Sequence, residues 1–309
     1  MIIMESLLAL LRAAAETTRL RLLWLLARQE LNVSELTQIL QQSQPRVSRH
    51  LKLMVEAGLL ARHKEGSWVL FRLADDPIAR ALAQMIAHDD PILQADGERL
   101  AEVRANRAAR AQAYFSANAN EWDKLRQLHV REEEVEAGLR RLAGAGPFEL
   151  LIDLGTGTGR MLEIFAPQAK RAIGVDLSHE MLAIARDRLS GLAHVQVRHG
   201  DIMEADLPLG QADIIILHQV LHFLDEPEAA LQHARSLLKA GGRLILADFA
   251  PHEREELREE HAHRRLGISG QQMTEWLQRA GLKLAMQEDL PPPENLKEGL
   301  TVSLWLAVA

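Results

Sequence analysis

Three acidic residues stand where apolar runs end, and a glycine-rich turn stands beside the first of them. Asp153 closes Phe148-Glu149-Leu150-Leu151-Ile152 and, past Leu154, leads into Gly155-Thr156-Gly157-Thr158-Gly159. Asp176 ends Arg171-Ala172-Ile173-Gly174-Val175, 21 residues after Gly155, and Asp201 follows Val195-Gln196-Val197-Arg198-His199-Gly200. Glycines permit a tight turn and let backbone approach a ligand closely. A carboxylate placed as Asp176 is can accept hydrogen bonds from both hydroxyls of a ribose. Asp153, two residues ahead of the first glycine, can hold an ammonium group directly or through water and would repel a pyrophosphate. The turn also lacks G-x-G-x-x-G. Two ligand classes therefore compete, a dinucleotide and an adenosyl amino acid, and Asp153 favours the second.

Histidines form a second group. His218 ends Ala212-Asp213-Ile214-Ile215-Ile216-Leu217, His222 follows closely, and His252, His261 and His263 come after a fifth run, Gly241 to Phe249. Any of them can take a proton or bind an acceptor. The chain carries 13 histidines, so most belong to the surface or to supporting positions. His261-x-His263 has no accompanying carboxylate pattern, and no metal site is expected.

A third group is cationic. From Pro45 to Ala57, Val47, Leu51, Met54 and Val55 repeat at helical spacing and belong inside. Arg46, Ser48, Arg49, His50 and Lys52 are left for the outer side, with Gln44 at the start. Such side chains can hydrogen-bond base edges in a major groove or hold phosphates.

Particular elements must position these groups. Thr17 to Arg28 reads as a helix with Leu20, Leu23, Trp24 and Ala27 on one face. Asn32 or Ser34 can cap the next helix, Glu35 to Gln41. Ser43 or Gln44 can cap the cationic helix, with Pro45 at its first turn, and Gly58 ends it in a left-handed conformation. Leu59 to His63 and Trp68 to Leu73 are strands around a turn, Lys64-Glu65-Gly66-Ser67, whose tip is basic at Lys64. Helix, turn, helix and hairpin in that order make a winged helix. Further on, apolar runs alternate with helical stretches, as in a doubly wound parallel sheet whose ligands bind beyond the carboxyl ends of the strands. Tyr114, Phe115 and Trp122, in a helical stretch from Tyr114 to Leu142, are either a lid over a ligand or core filling.

Bulk properties agree with two domains. The chain has 309 residues, 47% hydrophobic and 26% charged, with net charge −7. Residues 1–87 hold 11 basic and 8 acidic residues, hence +3, which leaves −10 for the rest. A mildly basic front on an acidic back fits a nucleic-acid partner at the front only. Cysteine is absent, which removes disulfides, thiolate metal sites and cysteine nucleophiles. No apolar run reaches the roughly 18–20 residues a membrane span needs, and Met1 to Leu11 lacks the marks of a signal peptide. The expectation is a cytoplasmic protein without a membrane partner.

Ser43-Gln44-Pro45-Arg46-Val47-Ser48-Arg49-His50-Leu51-Lys52-Leu53, followed by Ala57-Gly58-Leu59-Leu60, resembles the recognition helix of the ArsR family of winged-helix dimers. The resemblance covers about residues 4–88. It implies a homodimer paired through its first and last helices, the last being Pro77 to His88, on a double-stranded DNA operator read by Gln44, Arg46, Ser48, Arg49, His50, Lys52 and Lys64. Metal-sensing members carry cysteines in the segment equivalent to Leu31 to Leu36. Here Asn32 and Ser34 stand instead, so thiolate sensing is excluded.

Asp153 to Gly159, Asp176, Gly200-Asp201-Ile202 and Leu237-Leu238-Lys239-Ala240-Gly241-Gly242-Arg243-Leu244 resemble class I S-adenosylmethionine-dependent methyltransferases, over about residues 110–309. That resemblance implies cofactor contacts at Asp153, Gly155, Thr156, Gly157, Asp176, Leu177, Asp201, Ile202 and the backbone of His218, with Asp201 on the adenine amino group. The Pro-Pro-aromatic motif of nucleic-acid amino-methylation is absent where His218-Gln219-Val220-Leu221 stands, and arsenite methylation lacks its thiolates. The expected organisation is α/β: an N-terminal winged helix-turn-helix over 1–88, a helical linker and cofactor-site lid over 89–145, and a C-terminal doubly wound, Rossmann-like methyltransferase domain over 146–309. Two functions follow. In one, the back domain senses S-adenosylmethionine or S-adenosylhomocysteine for a regulator, a role implied by the resemblance to regulators of this same fusion that are associated with control of methionine-cycle genes. In the other, it is a working small-molecule methyltransferase. With no general base evident, the sensor is favoured.

Overall fold

The computed structural model describes residues 4–65, 68–86, 90–122, 132–292 and 299–309. The chain divides into two compact units, Met1–Ala109 and Arg110–Ala309.

In the first unit, helices Met4–Ala14, Thr17–Leu26, Val33–Leu40, Gln44–Glu56 and Pro77–Met85 surround a small antiparallel sheet. Its strands β1 (Leu31–Asn32), β2 (Leu60–Glu65) and β3 (Trp68–Leu73) lie in the order β1-β3-β2. Local chemistry sets the boundaries. The Asn32 side chain accepts from Glu35 N–H at 3.0 Å, and the Glu35 carboxylate accepts from Asn32 N–H at 3.0 Å. This reciprocal capping box assigns the cap to Asn32 and not Ser34. Ser43 is the N-cap of the cationic helix, without a side-chain bond, and Pro45 sits in the first turn. Gly58, at φ +84°, turns the chain into the wing.

The helix Thr17–Leu26 departs from the expected single apolar face. Leu22, Leu23, Trp24, Leu25 and Leu26 are all buried, whereas Leu20 and Ala27 are exposed. Neighbours pack its second half all round: Leu36 and Ile39, Val47 and Leu51, and Leu31 all join the same core. The expected last helix of this unit ends at Met85, and His88 lies outside the described residues.

A helix of 28 residues, Pro91–Asn118, begins in the first unit and ends in the second. Its Leu93, Leu100 and Val103 complete the first core. Asp96, fully buried, accepts two hydrogen bonds of 2.6 Å from Arg21 and one of 2.6 Å from Arg99.

The second unit is a seven-stranded sheet in the order β6-β5-β4-β7-β8-β10-β9. Its strands are β4 (Phe148–Leu154), β5 (Ala169–Asp176), β6 (Val195–His199), β7 (Ala212–His218), β8 (Leu238–Phe249), β9 (Lys283–Leu290) and β10 (Val302–Val308). The first five are mutually parallel, and β10 runs antiparallel between β8 and β9. Alternation along the strands feeds two cores. Leu150, Ile152, Ile215 and Leu217 face the helices Pro227–Leu237 and Gly270–Arg279. Leu151, Ile214 and Ile216 face the helices Glu132–Ala143 and Arg160–Phe165. Helices thus cover both faces, as a doubly wound sheet requires. Two strands were not legible in advance, β1 and β9. The first has two residues, and the second is an exposed edge strand carrying Lys283, Glu288 and Asp289.

Candidate cofactor pocket and nucleic-acid interface

On the helix Gln44–Glu56, residues Gln44, Arg46, Ser48, Arg49 and Lys52 are exposed, and so is Lys64 on the wing strand β2. Lys52 has Glu56 3.9 Å away on the next turn. Among the described residues no ion pair engages Arg46, Arg49 or Lys64. His50 differs from this group. It lies three residues after Val47 and four before Met54, so it shares their inward stripe. Its side chain is 13% exposed and its Nδ1 is 3.8 Å from Glu16. Burial lowers its pKa, and Arg19, Arg46 and Arg49 add to that while Glu16 opposes it. Glu16 itself caps the helix Thr17–Leu26 by accepting from Arg19 N–H at 2.9 Å.

In the second unit the three acids reach the same edge of the sheet by strand pairing. Asp153 pairs with Gly174 and Ile216, and Asp176 pairs with His199, two residues before Asp201. Asp153 is 1% exposed and accepts from Thr156 Oγ at 2.6 Å, so one of its oxygens holds the turn. Gly155 N–H and Thr156 N–H both donate to Val175 O at 2.9 Å. Asp176 reaches back to the same turn: one oxygen accepts from Gly157 N–H and the other from Ser178 N–H, each at 2.9 Å. Burial raises the pKa of Asp176, and these backbone donors oppose the rise. A carboxylate offers about four acceptor positions, so both oxygens can still receive ribose hydroxyls.

Gly155 has φ +77°, and a β-carbon there would lie 2.5 Å from Val220 Cγ2. Only bare backbone fits between β4 and the loop after β7. Leu177 is half exposed, Ile202 is buried, and Asp201 accepts from Met203 N–H at 2.8 Å. Beside them the rings of His179 and His199 stack at 3.8 Å, and His199 Nε2 bonds Leu177 O at 3.0 Å. His218 is buried at the end of β7, opposite Ala247 of β8. These residues suit an adenosyl amino acid: a glycine cradle, a ribose-binding acid, and apolar and aromatic walls for an adenine.

Tyr114, Phe115 and Trp122 meet edge to face, with centroids 5.3–6.2 Å apart, and Phe115 packs on Phe223 at 4.8 Å. A β-carbon on Gly157 would lie 3.9 Å from Trp122 Nε1, so this cluster borders the glycine turn. Tyr114 Oη bonds His261 Nδ1 at 2.6 Å, and burial pushes its pKa up to about 12. Of the other apolar residues in that stretch, Leu125, Leu128 and Val130 lie outside the described residues, and Val135 is buried.

Sequence reasoning missed Asp248. It ends the run Leu244 to Ala247 just as Asp153 and Asp176 end theirs, which was the available signal. His222 Nδ1 bonds Asp248 Oδ1 at 2.7 Å, and both side chains are 1% exposed. Among the described residues no cluster of three or more His, Cys, Asp or Glu residues is arranged to hold a metal ion. Nor is any described helix long and apolar enough to cross a membrane.

Residues 16–62 match the bacterial regulatory protein family arsR, and residues 152–246 match a methyltransferase domain family. The arsenic resistance transcriptional regulator ArsR1 of Pseudomonas putida is 38% identical over 30% of this chain and 75% of its own length. Malonyl-[acyl-carrier protein] O-methyltransferase of Halalkalibacterium halodurans is 33% identical over 50% of this chain and 61% of its own length. The chain spans less than two thirds of the length of the curated methyltransferases it matches. A chain in the complex of the Haloferax volcanii Trm112 methyltransferase activator with its methyltransferase shares the fold. Its TM-score is 0.55 at 21% identity, over 64% of this chain and 97% of that one.

Proposed function

Because the chain belongs to the arsR family of bacterial regulatory proteins and carries a methyltransferase domain behind its winged helix, we propose that it is a DNA-binding regulator whose second unit takes S-adenosylmethionine or S-adenosylhomocysteine as its signal. The observation that carries the ligand is the turn fastened by Asp153 through Thr156 and by Asp176 through Gly157. Asp153, Gly155, Thr156 and Gly157 hold the amino-acid end, Asp176 the ribose, Leu177, Asp201 and Ile202 the adenine, and the backbone of His218 the adjoining edge. In the first unit Gln44 and Ser48 face base edges, while Arg46, Arg49, Lys52 and Lys64 meet phosphates. His50, tucked against Glu16, holds the helix in place and leaves the bases to its neighbours. The protein acts as a homodimer on a two-fold operator, in the cytoplasm.

A signal works only if the ligand binds the DNA-competent and DNA-incompetent forms with different affinity. The test is fluorescence anisotropy on duplexes selected from a random pool with the full chain, at about 0.15 M salt. Affinity is measured without ligand and with each cofactor form. Either form should move the operator Kd at least about fivefold, the low end of typical allosteric coupling; equal affinity in all three states refutes the sensor. A second reading, a working methyltransferase that carries its own operator-binding unit, is favoured by one observation, the buried His222–Asp248 pair.

A further inference from the structure

The cofactor reading leaves one group of side chains in the second unit without a role. It gathers around Phe249 at the end of β8: His222, Asp248, His252 and His263, with Phe223 alongside. Asp248 accepts from His222 Nδ1 at 2.7 Å, from His222 N–H at 3.3 Å and from Phe249 N–H at 2.8 Å. Asp248 thereby fixes the proton of His222 on Nδ1, and Nε2 keeps its lone pair. Among the described residues no group bonds that Nε2. The ring lies 4.0 Å from Phe223, 4.2 Å from His263 and 5.1 Å from Phe249, centroid to centroid.

The segment that brings His263 here is held in a turn. Ala262 has φ +58°, a conformation that residues with a β-carbon seldom adopt. It is fixed from both sides, by His263 N–H to Leu257 O at 3.0 Å and by Arg264 and Arg265 N–H to His222 O at 2.8 and 3.0 Å. His252 supplies a complementary group. Its Nδ1 accepts from Arg254 N–H at 3.2 Å, which leaves its proton on Nε2. That Nε2–H is buried and has no partner among the described residues, and the ring stands edge-on to Phe249 at 6.0 Å. A buried donor without an acceptor calls for an explanation, and a ligand oxygen provides one. Burial together with His222 lowers the pKa of His252 to about 4, so it is neutral at physiological pH.

The titratable groups facing His222 are therefore Asp248 from β8, His252 from the loop beyond it and His263 from the 261–265 segment. One lone pair and one N–H donor stand among flat aromatic and imidazole rings, in the loops that follow β7 and β8 and next to the aromatic cluster bordering the glycine turn.

We propose that His222 is the general base for methylation of a phenolic hydroxyl on a planar aromatic acceptor, that Asp248 positions it, and that the His252 Nε2–H binds a second oxygen on the same ring, as in a catechol. The proposal rests on the cofactor reading above and, within it, on the second reading, a unit that turns the cofactor over. The acceptor O–H proton passes to His222 Nε2. The oxygen lone pair forms the bond to the methyl carbon, and the carbon–sulfur bond breaks with its electron pair moving to sulfur. The products are a methyl ether, the neutral thioether and one proton released from His222 to solvent.

The test uses the full chain saturated with S-adenosylhomocysteine and 4-nitrocatechol as the probe, whose phenolate absorbs in the visible. The wild type should bind it saturably and show the bound phenolate at a pH where the free probe is protonated. His222→Asn keeps a donor toward Asp248 but has no base. It should lose about tenfold of the bound phenolate signal at about pH 6, with homocysteine-nucleoside affinity unchanged. Asp248→Asn should move the onset of the band at least about one unit upward in pH. His252→Phe should weaken 4-nitrocatechol about tenfold while sparing 4-nitrophenol, which has no second oxygen. Transfer of label from S-adenosylmethionine to the probe should fall at least about a hundredfold in His222→Asn. Thioether binding without saturable probe uptake, or a phenolate band indifferent to His222→Asn and Asp248→Asn, overturns the proposal and leaves the pair a purely structural one. Failure of the thioether itself to bind removes the cofactor reading and this assignment together.

Discussion

Placing a methyl group on the first glycine of the turn perturbs the pocket at its tightest point. Gly155→Ala meets two obstacles. The residue sits at φ +77°, and the left-handed region costs a residue with a β-carbon about 1–2 kcal/mol. The added carbon would also lie 2.5 Å from Val220 Cγ2 and 3.0 Å from Cγ1, well inside the ~3.5–4.0 Å of normal carbon contact. Overpacking of this kind costs about 1–3 kcal/mol. The sum is about 2–5 kcal/mol in the wild-type background. Val220→Ala removes both γ-carbons and leaves the backbone cost with only the β-carbon 3.3 Å away, so in that background Gly155→Ala should cost little more than the about 1–2 kcal/mol of the left-handed conformation. The two changes together should therefore be milder than the sum of their separate effects, by about 1–3 kcal/mol. Urea unfolding of the second unit for the four proteins of the cycle measures this. S-adenosylhomocysteine titration on the same set should show weaker binding wherever the turn is displaced. Equal cost of Gly155→Ala in both backgrounds would show that Val220 does not enclose the turn.

Other consequences are equally open to measurement. Asp96→Ala strands Arg21 and Arg99 beside a fully buried position and should destabilise the first unit by about 3–5 kcal/mol, read by chemical denaturation. Arg46→Ala and Arg49→Ala should each weaken operator binding and lower the slope of log K against log salt by about one, across specific and nonspecific DNA alike where the contact is a phosphate. His252 has a pKa lowered to about 4 in the folded chain. Its stability contribution is complete above the unfolded value of about 6.5 and is lost as pH falls toward the folded one. Melting temperature of the second unit should decline over that interval, and His252→Phe should flatten the decline.

Local chemistry made much of the architecture legible. Asn32 or Ser34, Ser43 with Pro45, and Gly58 announce helix ends by hydrogen-bonding and backbone preferences that act over a few residues, and the structure assigns the first cap to Asn32. The alternation of Leu150 and Ile152 against Leu151 announces a strand buried on both faces. The acids at Asp153 and Asp176 were legible as well, because an acid ending an apolar run is conspicuous. What escaped depends on partners distant in sequence. Asp248 and His222 are 26 residues apart and meet only because β7 and β8 are neighbours. The polar ring of His50 among basic neighbours suggests solvent, whereas its spacing from Val47 and Met54 points inward, where the side chain is 13% exposed. The full burial of Leu22 through Leu26 follows from packing on all sides of one helix, which no single-helix periodicity encodes. The edge strand β9 has three charged residues and pairs only on one side, so its apolar signal is weak.

Everything assigned to the second unit depends on which nucleoside it accepts, and isothermal titration calorimetry of the full chain decides that. S-adenosylhomocysteine should bind saturably at one molecule per chain, Asp176→Ala should weaken it at least about tenfold through loss of the ribose contact, and NAD should give no saturable heat. Binding of NAD in preference to the thioether, or no heat from the thioether at all, would contradict the account.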